Sequence, residues 1–278
     1  MARSDWKRPE SFKALAEGER RIALTLSYDG SNYHGWQRQD GCMTVQEEIE
    51  RVLRHVTKEE IVIYGSGRTD SGVHALMQVA HFDTFSNIEA SKFRIILNTM
   101  LPHSIRCSES VEKDSGFHAR FSTQSREYWY LVKDIGTVTA FDENRVLAVS
   151  RMPDIRRLNE YASVLFGTHD FTTFSSARDK STSKMRDIYL SSWDVIFDTF
   201  SSPVLRYRVA ANAFLYNQVR SMTGSMLEAE RLGLDKSDFA SMLEKKDRAL
   251  AYKTAAACAL YLANISYDRQ KYEWFENL

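Results

Sequence analysis

The stretch Gly65-Ser66-Gly67-Arg68-Thr69-Asp70-Ser71-Gly72-Val73-His74-Ala75 places three glycines around an arginine and a carboxylate. Ile61-Val62-Ile63-Tyr64 enters it as a β-branched run, and Leu76-Met77-Gln78-Val79-Ala80-His81-Phe82 leaves it as another. Strand-type residues on both sides predict a sharp turn, and glycine opens backbone conformations closed to other residues. Arg68 and Asp70 then project from a loop braced by two strands. Read alone, an Arg-Thr-Asp turn also suits a structural ion pair, so its neighbours in the chain must decide.

Upstream, Ile22, Leu24 and Leu26 alternate with smaller residues and predict a strand that runs into the aromatic loop Tyr28-Asp29-Gly30-Ser31-Asn32-Tyr33-His34-Gly35-Trp36-Gln37-Arg38-Gln39. Its rings and amides suit RNA by stacking and polar contact, or the rings pack into the core. Thr44-Val45-Gln46-Glu47 has the form of a capping box, followed by Val45, Ile49, Val52, Leu53 and Val56 at helical spacing. Downstream, residues 90–100 predict a helix stopped by Pro102, and residues 105–111 a strand. The second half continues with a strand at 126–133, a helix at 153–166 and strands at 192–197 and 204–213. Helices at 218–231 and 236–245 and a strand at 260–267 complete it. The order predicts an α+β fold of two fused split-βαβ-like halves that share an extended antiparallel sheet with helices packed on one side. Expected divisions are a tail at 1–19, an N-terminal half at 20–115 and a C-terminal half at 116–278.

With 278 residues the chain can bury a large core. Lys+Arg and Asp+Glu are both 37, so net charge does not announce a polyanionic partner. Any nucleic-acid surface must be local. Residues 204–227 contain Arg206, Arg208 and Arg220 without an acid, and residues 116–126 contain Arg120 and Arg126 without one. Such stripes fit phosphates or a solvated sheet face. Three widely spaced cysteines, Cys42, Cys107 and Cys258, argue against a disulfide framework. No run of about 20 apolar residues suggests a membrane span, and a cytoplasmic location is expected. His74, His118 and His169 lack the close ligand spacing of a zinc site, so no metal is expected.

Further motifs follow in order: Gly116-Phe117-His118-Ala119-Arg120-Phe121-Ser122, Arg126-Glu127-Tyr128-Trp129-Tyr130, Gly167-Thr168-His169-Asp170-Phe171 and Phe214-Leu215-Tyr216-Asn217-Gln218-Val219-Arg220-Ser221-Met222-Thr223-Gly224. Together with the Gly65–Ala75 and Tyr28–Gln39 loops, this series resembles the TruA family of tRNA pseudouridine synthases from about residue 22 to 267. The match departs at Ser71, where the family usually has alanine. It departs again at Ala256 and Ala259, where many members have proline and glycine.

The resemblance implies the pseudouridine synthase fold and a cofactor-independent isomerase that converts uridine to pseudouridine in the anticodon stem-loop of tRNA, at positions 38 to 40. It implies a homodimer. It also implies that Asp70 is the nucleophile or base, that Tyr128 stacks on the uracil, and that Arg220 pairs with Asp70. Arg68 would fill the space left by a flipped nucleotide. His118, Arg120, Arg38, Arg178 and Lys180 are further candidate RNA contacts. Chemistry supports the central assignments. Breaking a C–N glycosidic bond without a metal needs a carboxylate at the sugar or base, and an arginine within reach keeps that carboxylate ionised. Two rivals remain. One is a catalytically silent RNA-binding protein of the same fold. The other is a carboxylate-based N-glycoside hydrolase with Asp29 or Asp83 as its second acid.

Overall fold

The computed structural model describes residues 14–268, so most of the expected tail lies outside the described residues. Its elements are β1 (Arg20–Tyr28), α1 (Val45–Thr57), β2 (Tyr64–Gly65), β3 (His74–Thr84), α2 (Lys92–Met100), β4 (Ile105–Lys113), β5 (Ser125–Asp134), β6 (Leu147–Val149), α3 (Ile155–Val164), β7 (Gly167–Asp170), β8 (Met185–Phe197), β9 (Pro203–Ala211), α4 (Gln218–Leu232), α5 (Lys236–Glu244) and β10 (Leu260–Ser266). The strands form one sheet in the order β4-β1-β3-β10-β5-β9-β8-β7, with β2 also on β3 and β6 also on β5. Residues 20–115 supply β1 to β4, and β5 to β10 come from residues 116–278.

The two sets of strands meet where β10 lies parallel to β3, pairing Tyr261 with His74 and Leu262 with Ala75. The β5–β6 pair is also parallel, so the shared sheet is mixed rather than wholly antiparallel. The β3–β10 direction follows from connectivity. β10 returns from α4 and α5 by a long crossover, the connection that parallel neighbours require.

Register places the core. Phe82, Ala80 and Gln78 alternate along β3, and an irregularity opposite Leu26 and Tyr28 brings Ala75 to their face. Leu262, Tyr128 and Val209 continue that face across the seam, as do Tyr130, Tyr207 and Trp193 beside them. The helices cover its two ends. Phe93 of α2 meets Phe82 edge-on at 5.2 Å, while Asn159 of α3 bonds the Trp193 backbone at 2.8 and 2.9 Å. Between them lies the β3–β10–β5 seam, which the loops and the N-terminal turn of α4 approach.

Local chemistry explains individual elements. Thr44 caps α1 by accepting from the Glu47 amide, and Val45, Ile49, Val52 and Leu53 are buried on one face. The expected strand at 61–64 shortens to the two residues of β2. Ile63 donates its amide to the buried Glu50 carboxylate at 3.0 Å, so a side chain replaces a ladder bond. β8 runs seven residues earlier than the expected 192–197 strand, and β7 adds an edge strand on the Gly167–Asp170 motif.

Candidate active site

The Gly65–Ala75 loop is zipped to the aromatic loop along its length. Trp36 donates its amide to the Thr69 carbonyl at 3.1 Å, and the Gly72 amide and Ser71 hydroxyl donate to the Tyr33 carbonyl, each at 3.3 Å. Tyr28 and Thr69 share a hydroxyl contact of 2.8 Å. Gly35 has φ +91°, and a Cβ there would stand 2.6 Å from the Thr69 carbonyl oxygen. At Gly65 a Cβ would strike the Trp36 ring at 2.7 Å. Tyr28, Tyr33 and Trp36 are therefore buried supports of the Asp70 loop, and the core reading of these rings is the one the structure adopts. Ser71, the departure from the family pattern, is accommodated by its bond to Tyr33.

A half-buried arginine and a buried glutamine hold consecutive carbonyls just before Arg68. Arg126, at the start of β5, donates to the Ser66 carbonyl at 2.7 and 3.1 Å, to the Asn212 carbonyl at 2.8 Å and to the Arg120 carbonyl at 3.0 Å. Gln78 donates to the Gly67 carbonyl at 2.8 Å and accepts from the Ser66 hydroxyl at 2.6 Å. Arg126 thus joins the Asp70 loop to the backbone that leads into α4.

That approach delivers Arg220. Asn217 takes a left-handed φ of 62° and accepts from Arg220 Nη1 at 3.0 Å, while Arg220 Nε donates to the Ala255 carbonyl at 2.8 Å. One turn on, a Cβ at Gly224 would overlap the Lys253 carbonyl at 2.1 Å, so glycine there admits the segment that carries Ala255. Arg220 Nη1 lies 3.5 Å from Asp70 Oδ2. The Asp70 side chain is 28% exposed, enough to be reached. Burial raises its pKa above the ordinary carboxylate value, and Arg220 pulls the other way. Tyr128 lies on the same floor, nearly covered, with its edge against Phe214 at 5.3 Å. Burial pushes its hydroxyl up to about 12, so the ring is neutral.

The remaining expected contacts divide. Arg68 is exposed, with no hydrogen-bond or ion-pair partner among the described residues. Arg120, Arg178 and Lys180 are exposed as well. Arg38 is half exposed and pairs with Glu50 at 3.0 Å. His118 is buried against His81 at 4.6 Å and Phe121 at 4.4 Å, and its Nδ1 accepts the Arg120 amide at 3.1 Å. Burial, with the nearby Arg21 and Arg120 charges, lowers its pKa to about 4, so a neutral His118 shapes the turn that carries Arg120. Of the basic stripe at 204–227, Arg206 and Arg208 lie on the opposite face from Tyr128. Arg206 pairs with Asp194 and sits over Trp129 at 4.4 Å, while Arg208 pairs with Glu127 at 2.8 Å. With side chains only 14% and 29% exposed, those two are engaged in ion pairs on that face and are neither a free phosphate stripe nor an openly solvated one.

Neither candidate second acid is idle. Asp29 pairs with Arg145 at 2.7 Å, and Asp83 pairs with Arg21 at 2.7 Å. Ala256 has φ −56°, a value proline would impose, and Ala259 is buried without a left-handed backbone. Both alanines therefore keep a backbone compatible with the family pattern. A cavity of about 330 Å³ lined by Val164, Thr168, His169, Asp170 and Met185 shares no residue with the Asp70 site. Arg126, read from sequence as part of a possible phosphate stripe, and Gln78, which no motif singles out, both hold backbone carbonyls of the Asp70 loop. The Arg-x-Tyr-x-Tyr pattern marked Arg126, but only the fold reveals which carbonyls it reaches.

The family model described as tRNA pseudouridine synthase matches residues 25–122 and 161–268. Among curated relatives, tRNA pseudouridine synthase A of Bacillus subtilis (strain 168) is 40% identical over 250 residues, covering 89% of this chain and 99% of that one. The protein of the same name from Treponema pallidum (strain Nichols) is 42% identical over 237 residues, covering 83% of each. That from Treponema denticola is 40% identical over 259 residues, covering 91% and 95%.

Proposed function

The chain belongs to the family of tRNA pseudouridine synthases, and from that premise we propose that it isomerises uridine to pseudouridine in the anticodon stem-loop of tRNA, at positions 38 to 40, with Asp70 as the acting carboxylate. The observation that carries the reading is the Asp70–Arg220 pair beside Tyr128, held by backbone contacts from both halves of the chain.

In the reaction the uracil N1–C1′ bond breaks and a C5–C1′ bond forms, while C5 loses a proton to water and N1 takes one up. There is no net redox change, so the exchange needs no oxidant or reductant. Asp70 either attacks C1′ or removes a sugar proton, and Arg220 keeps it ionised for both routes. The Tyr128 face retains the detached base while it turns. Arg68, unencumbered on the loop, fills the gap left by the flipped nucleotide. Arg120, Arg178 and Lys180 contact phosphates, and Arg38 adds a weaker contact from its half-exposed side chain. His118 serves RNA indirectly, through the turn that presents Arg120.

The protein works in the cytoplasm as a homodimer. No helix among the described residues is long and apolar enough to cross a membrane. The exposed Phe141 and Phe200 rings, 5.2 Å apart, form an apolar patch suited to a second copy. Asp134, Asp142 and Asp198 around it make it unsuited to RNA.

The test uses tRNA labelled with tritium at uridine C5. The wild-type protein alone should release label to water, and Asp70→Asn should not. Release of free uracil would favour the hydrolase, whose second acid would have to leave an existing ion pair. Binding without either product would mark a silent RNA-binding protein.

A further inference from the structure

Tyr216 stands out beside the site because its main chain is fixed while its ring is free. Its amide donates to Asp179 Oδ2 at 2.6 Å, and its carbonyl accepts the Ser176 amide at 3.0 Å. The residue is nevertheless 43% exposed, and among the described residues neither its ring nor its hydroxyl has a partner. It lies between Phe214, which touches Tyr128, and Asn217, which holds Arg220.

The Asp179 carboxylate organises this corner. It also accepts from Lys184 Nζ at 2.6 Å and from the Ser181 amide at 2.9 Å. Burial of the carboxylate works against its ionisation, but these bonds prevail and hold it well below the usual range. Arg178 and Lys180 flank it on an exposed loop. An exposed aromatic ring and two cations are therefore presented together by one buried carboxylate.

We propose that Tyr216 is a stacking platform for a nucleotide adjacent to the target uridine, with Arg178 and Lys180 holding the phosphates on either side. The inference rests on the RNA substrate proposed above. An open ring accepts any base by its π-face, whereas the covered Tyr128 floor accepts only the flipped uracil. Flipping strips a neighbour of its stacking partner, and Tyr216 replaces that partner. The platform secures the substrate without touching the reacting atoms, so its loss appears in KM more than in kcat.

The first measurement is the affinity of wild type, Tyr216→Phe and Tyr216→Ala for full-length tRNA, with the tritium-release rate of each. Tyr216→Ala should bind about ten-fold more weakly, within the range measured for base–aromatic stacking, and Tyr216→Phe should match wild type. The second uses stem-loop RNAs with an abasic nucleotide on the 5′ or the 3′ side of the target. One of the two should lose about ten-fold with wild type and nothing further with Tyr216→Ala. Unchanged affinity in folded Tyr216→Ala, or additive losses at both abasic positions, overturns the platform. Absence of tritium release by wild type from any tRNA would instead overturn the substrate reading on which it rests.

Discussion

Arg126 joins Ser66 through two guanidinium hydrogen bonds, 2.7 and 3.1 Å long, and joins Asn212 through a third of 2.8 Å. Asp70 follows Ser66 by four residues in the N-terminal half, and Arg220 follows Asn212 by eight in the C-terminal half. The backbone that delivers each member of the 3.5 Å pair is therefore tied to the same side chain.

Arg126→Lys tests that tie. A lysine keeps the charge but cannot supply a planar fork to three carbonyls. A shift of the loop by as little as an ångström can cost about 10²-fold in rate. Single-turnover tritium release should fall by about that factor while tRNA affinity changes little. A wild-type rate in the folded variant would assign Arg126 to stability alone.

The Asp70 environment predicts two pH effects. Activity should be lost as pH falls through a value above the ordinary carboxylate pKa, since burial raises Asp70. Arg220 opposes that rise, so Arg220→Met should move the acid limb to higher pH besides slowing the reaction. Stability follows the opposite sign. A carboxyl whose folded pKa exceeds its unfolded value makes the protein less stable as pH rises between the two. Asp70→Asn removes that penalty, and Arg220 keeps its bonds to Ala255 and Asn217. The variant should be inactive yet melt no lower than wild type at pH 7. A markedly lower Tm would mean that the ion pair stabilises the fold.

Salt dependence should separate exposed arginines from engaged ones. Each phosphate contact contributes about 0.7 to 0.9 to the slope of log affinity against log salt. Arg178→Ala should reduce the slope by roughly one contact. Arg206→Ala should leave it unchanged, because Arg206 is engaged by Asp194 and Trp129 on the opposite face. The reverse pattern would move the RNA surface to the other side of the sheet.

The apolar patch predicts an oligomer. Lys133, fully buried, bridges Asp142 at 2.8 Å and Asp198 at 2.6 Å, and so clamps the two turns that carry Phe141 and Phe200. Phe141→Asp combined with Phe200→Asp should convert a dimer to a monomer in sedimentation, with Lys133 and its partners intact. A double variant that sediments as wild type does would exclude this surface as the interface.

The order of helices and strands was legible in the sequence because apolar periodicity and glycine placement are local properties of the chain. Asp70, Tyr128 and Arg220 were marked by motif, and the folded chain places them on one floor. Sequence alone could not tell Trp36 as a stacking surface from Trp36 as a support, since either use needs the same ring. The approach of Gly65 to within Cβ distance of that ring decided it. Nor could the run of arginines from 206 to 220 show which would face the site. Residues 206 and 208 share a strand face, but that face acquires an identity only when β9 takes its place beside β5. The Arg126 contacts lie furthest from local reading. They join carbonyls 60 and 86 residues away, and carbonyls carry no side-chain signal, so only the parallel closure of β10 on β3 and the loops gathered over it decide what that guanidinium holds.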